Sequence, residues 1–248
     1  MTNYIHADLN RIFHRISRWV IIVLFLAGGL GFEFYQAVTR SYNGINLTSA
    51  AYTFFDLAAV VLGIVEIQSV FADDFRAKTM QIAIGLGVSR PKIVLAKLLD
   101  FAILALIDSL TIMVLYTLGG TACGIHLMGE QIYLMFISAL ESAVLMTIVA
   151  AITMIPVFYM QSTTFAVLFF LIISLDPLKM VFQLLSTKEI VLNLHLVELM
   201  FSSVNNTLFT QLSLRNMFPI AQFLGVIAYL AAAYGLSVLA FRKRELEF

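Results

Sequence analysis

Residues 132–155 read IYLMFISALESAVLMTIVAAITMI, and Glu141 is the one charged side chain among them. A helix of about 20 predominantly apolar residues crosses the hydrocarbon core of a bilayer, so this stretch alone predicts a membrane-spanning helix. Five further runs are also apolar, although the fifth in chain order is short. We therefore expect six spanning helices. The other runs are Trp19–Phe34, Ala51–Phe71, Leu98–Leu118, Thr164–Leu175 and Ile220–Phe241.

The composition excludes several classes of protein. Of the 248 residues, 61% are hydrophobic and 12% are charged, whereas soluble domains average about 45–50% and about 25%. The mean hydropathy is +0.95, and six spans leave no room for a separate soluble catalytic domain. The 15 basic and 15 acidic residues cancel, so no global charge indicates a nucleic-acid partner. The one cysteine excludes an internal disulfide framework and a Cys-rich zinc site, and we expect no metal.

The distribution of basic residues predicts the orientation. If both termini are cytoplasmic, 11 of the 15 Lys and Arg residues lie inside and 4 lie outside, as the positive-inside rule favours. We expect a multi-pass protein of the cell membrane, and the low cysteine content and compactness favour a bacterial one. The inside residues are Arg11, Arg15, Arg18, Arg76, Lys78, Arg90, Lys92, Lys97, Arg242, Lys243 and Arg244, and the outside residues are Arg40, Lys179, Lys188 and Arg215.

Residues 1–18 predict an amphipathic helix that lies along the cytoplasmic interface. Its apolar residues recur at helical spacing on one face, while Asp8 and three arginines lie elsewhere around it. Such a helix either anchors the topology or braces a transport domain. The apolar residues are Ile5, Leu9, Ile12, Phe13 and Ile16.

The connection of residues 72–97 is too long for a simple hairpin, and its pattern indicates helix, turn and helix. Asp73 and Asp74 stand where they would stabilise the first turn of a helix through its dipole. Gly85-Leu86-Gly87 then ends this helix, and Ser89 is a candidate N-cap for the next, which would run directly into the third span. An ordinary basic loop is the alternative.

The outer connection of residues 176–219 predicts short apolar helices against or re-entering the outer leaflet, because a solvated loop would be more polar. Asp176-Pro177 interrupts the fifth run, since proline removes a donor and clashes with the preceding turn. The chain is therefore expected to form a single domain. In chain order it comprises an interfacial helix (1–18), spans one and two (19–71), the cytoplasmic segment (72–97), spans three to five (98–175), the outer re-entrant segment (176–219), and span six with a basic tail (220–248).

With these elements placed, the chain resembles an ABC-2-type permease, the membrane subunit of a type V ABC exporter. The resemblance rests on the interfacial helix, six spans, a helical cytoplasmic hairpin after span two and an apolar insertion before span six. The most specific local match is FRAKT at residues 75–79 followed by GVSRPKIVLAK at residues 87–97. One departure is Ala77-Lys78-Thr79, where many relatives have a glycine in a Gly-Thr pair.

The resemblance implies an exporter of two permease subunits and two cytosolic ATP-binding subunits, the second permease being the same chain or a relative. This chain has no Gly-x-x-x-x-Gly-Lys-Ser/Thr loop to hold phosphates, so ATP and Mg²⁺ would be bound by the partner, and no enzyme activity or cofactor is expected here. Residues 72–97 would be the coupling segment. The residues expected to dock the partner are Asp73, Asp74, Phe75, Arg76, Lys78, Met80 and Arg90.

Three acidic residues, Glu66, Asp108 and Glu141, lie deep in apolar runs, and the sequence suggests no Lys or Arg at comparable depth. Charged groups at the bilayer centre are costly and usually face a cavity or a partner. The three residues would line a translocation cavity for a hydrophobic or amphipathic substrate, such as a peptide, drug or lipid. The alternative is that they form hydrogen bonds between helices.

Two other classes compete with the permease. A proton-coupled secondary transporter would also use intramembrane carboxylates, but the sequence has no convincing internal repeat and the cytoplasmic hairpin would have no necessary role. An intramembrane enzyme would need a nucleophile with a base, or clustered metal ligands, and none of the four histidines lies in mid-span. No catalytic residues are therefore assigned.

Overall fold

The computed structural model describes residues 2–39, 44–76, 79–185, 195–214 and 218–243. Within these ranges the chain is helical and forms no strand. The helices are α1 (Thr2–Phe13), α2 (Ile16–Thr39), α3 (Gly44–Arg76), α4 (Thr79–Gly85), α5 (Arg90–Ala122), α6 (Gly129–Met160), α7 (Thr163–Ser174), α8 (Pro177–Leu184), α9 (Leu196–Leu199), α10 (Phe201–Ser213) and α11 (Ile220–Lys243).

Five segments of the described chain are long and apolar enough to span a membrane. They are Leu47–Arg76, Arg90–Ala122, Gly129–Met160, Thr163–Leu184 and Ile220–Lys243. A sixth is counted only if α1 and the first part of α2, which meet at a 60° bend, are taken together. The prediction of an all-α membrane protein is thus confirmed, whereas the exact arrangement of six spans stays a prediction.

Helix α6 is the centre of the bundle, because α3, α5, α7, α10 and α11 all pack against it. Small buried residues, including Ala139, Ala143 and Ala150, occur along this helix. Small side chains let helix backbones approach closely, which is the main source of attraction between helices in lipid. Gly63 serves the same purpose in α3, since a Cβ atom there would lie 2.2 Å from the Phe170 ring of α7.

The segment of residues 72–97 differs from its prediction at its start and agrees with it at its end. Asp73 and Asp74 occupy the last turn of α3, so they are not in the first turn of a new helix as expected. Acids at a helix C-terminus are disfavoured by the dipole and need cations nearby. Beyond the turn at Gly87, which has a φ of 86°, Ser89 is the N-cap of α5 as predicted. Helix α5 then continues without a break through the third apolar run.

The bend between α1 and α2 divides the segment that the sequence suggested was one interfacial helix. Helix α1 ends at Phe13 and α2 begins at Ile16. The Trp19 indole donates a hydrogen bond to the Phe13 carbonyl at 2.7 Å, which closes the inside of the bend. Arg18 therefore belongs to the first turn of α2, and it points into the bundle.

The outer segment contains the predicted break in the fifth run. Helix α7 ends at Ser174, Asp176 has a φ of 46°, and α8 follows directly from Pro177. The second short helix expected from the sequence falls partly on residues 186–194, which lie outside the described residues. The longest outer helix of the described part is α10, which the sequence did not predict, and it packs against α6 and α11.

Candidate functional site

The first buried group of charges, the Arg18 cluster, consists of Arg18, Glu66 and Asp108. The Arg18 Nε atom donates to Glu66 Oε1 at 2.7 Å, and its Nη2 atom donates to Asp108 Oδ1 at 2.7 Å. The three residues are 1%, 0% and 4% exposed. One guanidinium therefore joins α2 to both α3 and α5 inside the bundle, through charge-assisted hydrogen bonds, which are about twice as strong as neutral ones.

Aromatic rings complete the surroundings of Arg18. Its guanidinium carbon lies 5.2 Å from the centre of the Phe13 ring and 4.9 Å from that of Trp19, distances typical of cation–π contacts. These rings come from the two sides of the bend between α1 and α2. The bend thus supplies both the position of the arginine and part of its apolar cover.

Each residue of the Arg18 cluster has one polar side-chain atom that makes no described hydrogen bond. Arg18 Nη1, Glu66 Oε2 and Asp108 Oδ2 are buried and make no hydrogen bond to any residue that the structure describes. Two carboxylates surround a single cation, so the cluster is formally one negative charge in excess when both are ionised. A buried charge without an oppositely charged partner is costly, so this excess of one negative charge distinguishes the site from an ordinary buried ion pair.

The expectation that no basic residue lies at the depth of these acids is wrong. It placed Arg18 in a cytoplasmic segment because this residue precedes the first apolar run. The bend and the length of the arginine side chain instead bring the guanidinium between Glu66 and Asp108. The sequence did contain an indication of these contacts. Two acids in separate apolar runs require a cation, and Arg18 adjoins such a run.

The second group, the Lys97 cluster, consists of Lys97, Asp8, Asp74 and Arg11. The Lys97 ammonium, fully buried, contacts the carboxylates of both Asp8 and Asp74 and donates to the Val70 carbonyl at 3.3 Å. Arg11 pairs with Asp8 and lies 3.4 Å from Asp74. These contacts fix α1 against the C-terminal end of α3 and the N-terminal part of α5, and they supply the cations that the last turn of α3 needs.

Two further contacts surround the Lys97 cluster. Arg15 lies 3.8 Å and Arg11 lies 3.9 Å from Asp73, which is partly exposed. The Thr79 hydroxyl, at the start of α4, donates to Asp74. The coupling segment is therefore connected to α3 through the same carboxylate that binds Lys97.

The two clusters lie at different depths along α3 and α5. Eight residues separate Glu66 from Asp74, which is about 12 Å of helix, and eleven separate Lys97 from Asp108, which is about 16 Å. The Lys97 cluster is nearer the end of the bundle that carries the coupling segment, and the Arg18 cluster is deeper.

The structure separates the residues predicted to dock a partner into different environments. Asp74 and Met80 are 3% and 4% exposed, and Phe75 is half-buried and stacks on Phe71. Arg90 donates to the carbonyls of Phe241 and Arg242 at 2.8 and 2.9 Å, so it stabilises the end of α11. Arg76 is exposed and Asp73 partly so. Lys78 lies outside the described residues.

The coupling segment also exposes two apolar residues that were not among those expected. Ile82 is 58% exposed and Leu86 is 81% exposed, next to the turn at Gly87. Helix α4 turns Met80 and Ala83 toward the bundle and leaves Ile82 exposed, which no pattern in the sequence indicated.

Glu141 does not join the other two intramembrane acids. Its carboxylate accepts a hydrogen bond from Asn206 of α10 at 3.1 Å, and its backbone carbonyl accepts one from Asn205 at 3.2 Å. The structure therefore brings together Glu66 and Asp108, through Arg18, and places Glu141 in a separate contact between α6 and α10. Asn205, 1% exposed, is a positioning residue that sequence reasoning missed.

The part of the chain that the structure describes contains no group of three His, Cys, Asp or Glu side chains that could hold a metal ion. It does contain an apolar cavity of about 650 Å³ between α2, α3 and α5, lined by Phe25, Phe54 and Tyr116 among others. No protein-family model matches the chain, and no curated protein matches it.

Proposed function

We propose that this chain is the membrane-spanning permease subunit of an ATP-driven ABC exporter, located in the cell membrane with both termini cytoplasmic. The translocated substrate is hydrophobic or amphipathic: a peptide, a drug or a lipid. A cytosolic ATP-binding subunit, present in two copies, binds ATP and Mg²⁺. The second permease subunit is the same chain or a relative.

One observation supports this proposal most strongly. The helical hairpin of α4 and the start of α5 continues directly into a spanning helix and is joined through Asp74 to both Lys97 and α1. A force applied to this hairpin by a partner is therefore passed to α1, α3 and α5 together. A transporter driven by a separate ATPase requires such a connection, whereas a simple loop between two spans does not.

The structure also refines the surface that would contact the ATPase. Because Asp74, Met80 and Arg90 have partners within the chain, we assign docking to the exposed Ile82 and Leu86. Apolar anchors at the centre of a contact contribute most of its binding energy, and charges at its rim speed association.

Co-purification tests the proposal. The tagged chain is extracted in detergent from its native membranes, and co-purifying proteins and ATPase activity are measured for the wild type and for Ile82→Glu with Leu86→Glu. We expect a cytosolic ATPase that is lost in the variant, with an unchanged melting temperature. The control is Leu184→Glu, which alters an equally exposed leucine of α8. A stable chain that yields no ATPase under any condition contradicts the proposal.

A proton-coupled secondary transporter is the second candidate, and the buried acids Glu66 and Asp108 are the observation in its favour. Substrate movement in vesicles separates the two. A carrier is stopped by a protonophore and needs no nucleotide, whereas the exporter needs ATP and its ATPase partner.

A further inference from the structure

A polar cavity of about 330 Å³ opens at the same end of the bundle as the coupling segment. It lies between the bend of α1 and α2, the last turns of α3 and the turn that joins α6 to α7. Its lining is polar and basic, unlike the apolar cavity between α2, α3 and α5. The lining residues are Arg15, Gln68, Ala72, Phe75, Arg76, Gln161, Ser162 and Thr163.

Two arginines give the cavity its charge. Arg76 has no ion-pair partner within the described ranges, and Arg15 is paired only loosely, at 3.8 Å from Asp73. Asp73 is itself shared with Arg11 at 3.9 Å, so the carboxylate does not neutralise Arg15 alone. The Arg15 Nη1 atom is buried and makes no hydrogen bond to any described residue. The cavity therefore holds unused guanidinium donors.

The N-terminus of α7 adds further donors on the facing wall. Ser162 is the N-cap of this 12-residue helix, and its side chain makes no capping hydrogen bond. The first N–H groups of a helix have no partner within it and attract anions. Gln161, with a φ of 52°, turns the chain immediately before this helix. A left-handed backbone at a residue other than glycine is uncommon, and here it forms one edge of the cavity.

The side chains near the cavity place it at the level of lipid headgroups. Trp19 is 42% exposed, Tyr159 is 53% exposed and Ile16 is 78% exposed. Trp and Tyr are enriched where a membrane meets water, and exposed apolar side chains beside them face acyl chains. A ligand in this cavity would have its polar group among the arginines and apolar material beside it along the bundle.

We propose that this cavity binds the phosphate group of an anionic phospholipid. Guanidinium groups and helix N-termini are the groups that bind phosphate oxygens, and basic pockets between spanning helices on the cytoplasmic side suit such headgroups. A free phosphate ion would use the same donors, but it would gain nothing from the exposed apolar side chains nearby. The site does not depend on the proposed transport function, because it needs neither nucleotide nor an ATPase.

Trp19 is the single tryptophan of the chain, it is 42% exposed, and it stands four positions after the lining residue Arg15, so its fluorescence reports lipid contact. The full chain is reconstituted in phosphatidylcholine vesicles that contain a minority of brominated phosphatidylglycerol or of brominated phosphatidylcholine. We expect stronger quenching by the anionic lipid. Arg76→Gln should reduce that preference by about fivefold, and Arg15→Gln by a similar factor, the amount expected of one arginine near an anionic surface. Lys92→Gln, an exposed cation away from the cavity, should leave the preference unchanged.

Two outcomes would overturn the proposal. One is equal quenching by the two brominated lipids in the wild type. The other is a preference that persists in Arg76→Gln, a variant whose folding is not in question because the side chain is exposed. A further arm adds inorganic phosphate to vesicles of phosphatidylcholine alone and follows binding by calorimetry. Binding of phosphate that is sensitive to Arg76, without any enrichment of phosphatidylglycerol, overturns the lipid as the source of the phosphate group.

Discussion

Arg18 and Glu66 are 48 positions apart in the sequence, yet the Nε atom of the arginine lies 2.7 Å from a carboxylate oxygen of the glutamate. Neither side chain is reached by solvent in the described structure. Their contact, together with that to Asp108, makes the first turn of α2 an integral part of the bundle. An arginine next to an apolar run is thus a buried structural residue here, and four predictions follow from this and the other contacts.

Replacement of Arg18 should destabilise the chain strongly. Arg18→Gln removes the cation and leaves two buried carboxylates, and the loss of one partner of a buried pair costs about 3–5 kcal/mol. Thermal unfolding in detergent should show a large fall in melting temperature, and adding Glu66→Gln and Asp108→Asn should recover part of it. The control is Arg76→Gln, an exposed arginine, which should change little. Equal melting temperatures for the two single variants contradict the assigned contacts.

The destabilising effects of substitutions at Lys97 and Asp74 should not be additive. Each of Lys97→Gln and Asp74→Asn disrupts the same contact, so the double variant should be less destabilised than the sum of the singles by about 0.5–3 kcal/mol. Denaturation of the four chains gives this interaction energy directly. The same cycle with Lys92→Gln, an exposed residue of α5, should be additive. If both cycles are additive, Lys97 does not pair with Asp74.

Gly63 should not tolerate a side chain. Gly63→Ala places a Cβ atom 2.2 Å from the Phe170 ring, and this ring is fully buried against Phe101, so it cannot move freely. Overpacking of this kind costs about 1–3 kcal/mol. Gly235→Ala is the matched change in α11, where no atom lies within 4 Å, and it should be neutral or slightly stabilising. A melting temperature lowered equally by both would contradict the Phe170 contact as the cause, because Gly→Ala at an open helix position raises helix propensity.

The orientation can be tested by labelling from one side. In a chain with Cys123→Ser, Met128→Cys in the α5–α6 connection should react with a membrane-impermeant maleimide on intact cells. Leu86→Cys, in the turn before α5, should react only after permeabilisation. These positions are 71% and 81% exposed, so access to the reagent is the only difference expected. The reverse pattern places both termini outside.

The sequence predicted well what depends on local pattern. Apolar runs gave the long helices, and Ser89 with Pro91 gave the start of α5, because capping and helix length depend on neighbours within a few residues. The break at Asp176 followed from a proline in the same way.

Pairing between residues that are distant in the sequence could not be predicted from local patterns. The choice of Lys97 as partner for Asp74 depends on how α3 packs against α5, and nothing local specifies that packing. Asp73 and Asp74 satisfied the rule for a helix start but are at a helix end, since cations from α1 and α5 outweigh the dipole. Helix α10 was missed because its asparagines, which bind Glu141, weaken its apolar pattern.

The bend between α1 and α2 has a consequence for the order of biogenesis. Asp8 and Arg18 leave the ribosome before their partners Lys97 and Asp108, which stand 89 and 90 positions later. At about 5–20 residues per second, α1 and the first turn of α2 wait several seconds for these two partners. Their contacts are complete only when α5 has been synthesised, so an early part of the bundle is among the last to be finished.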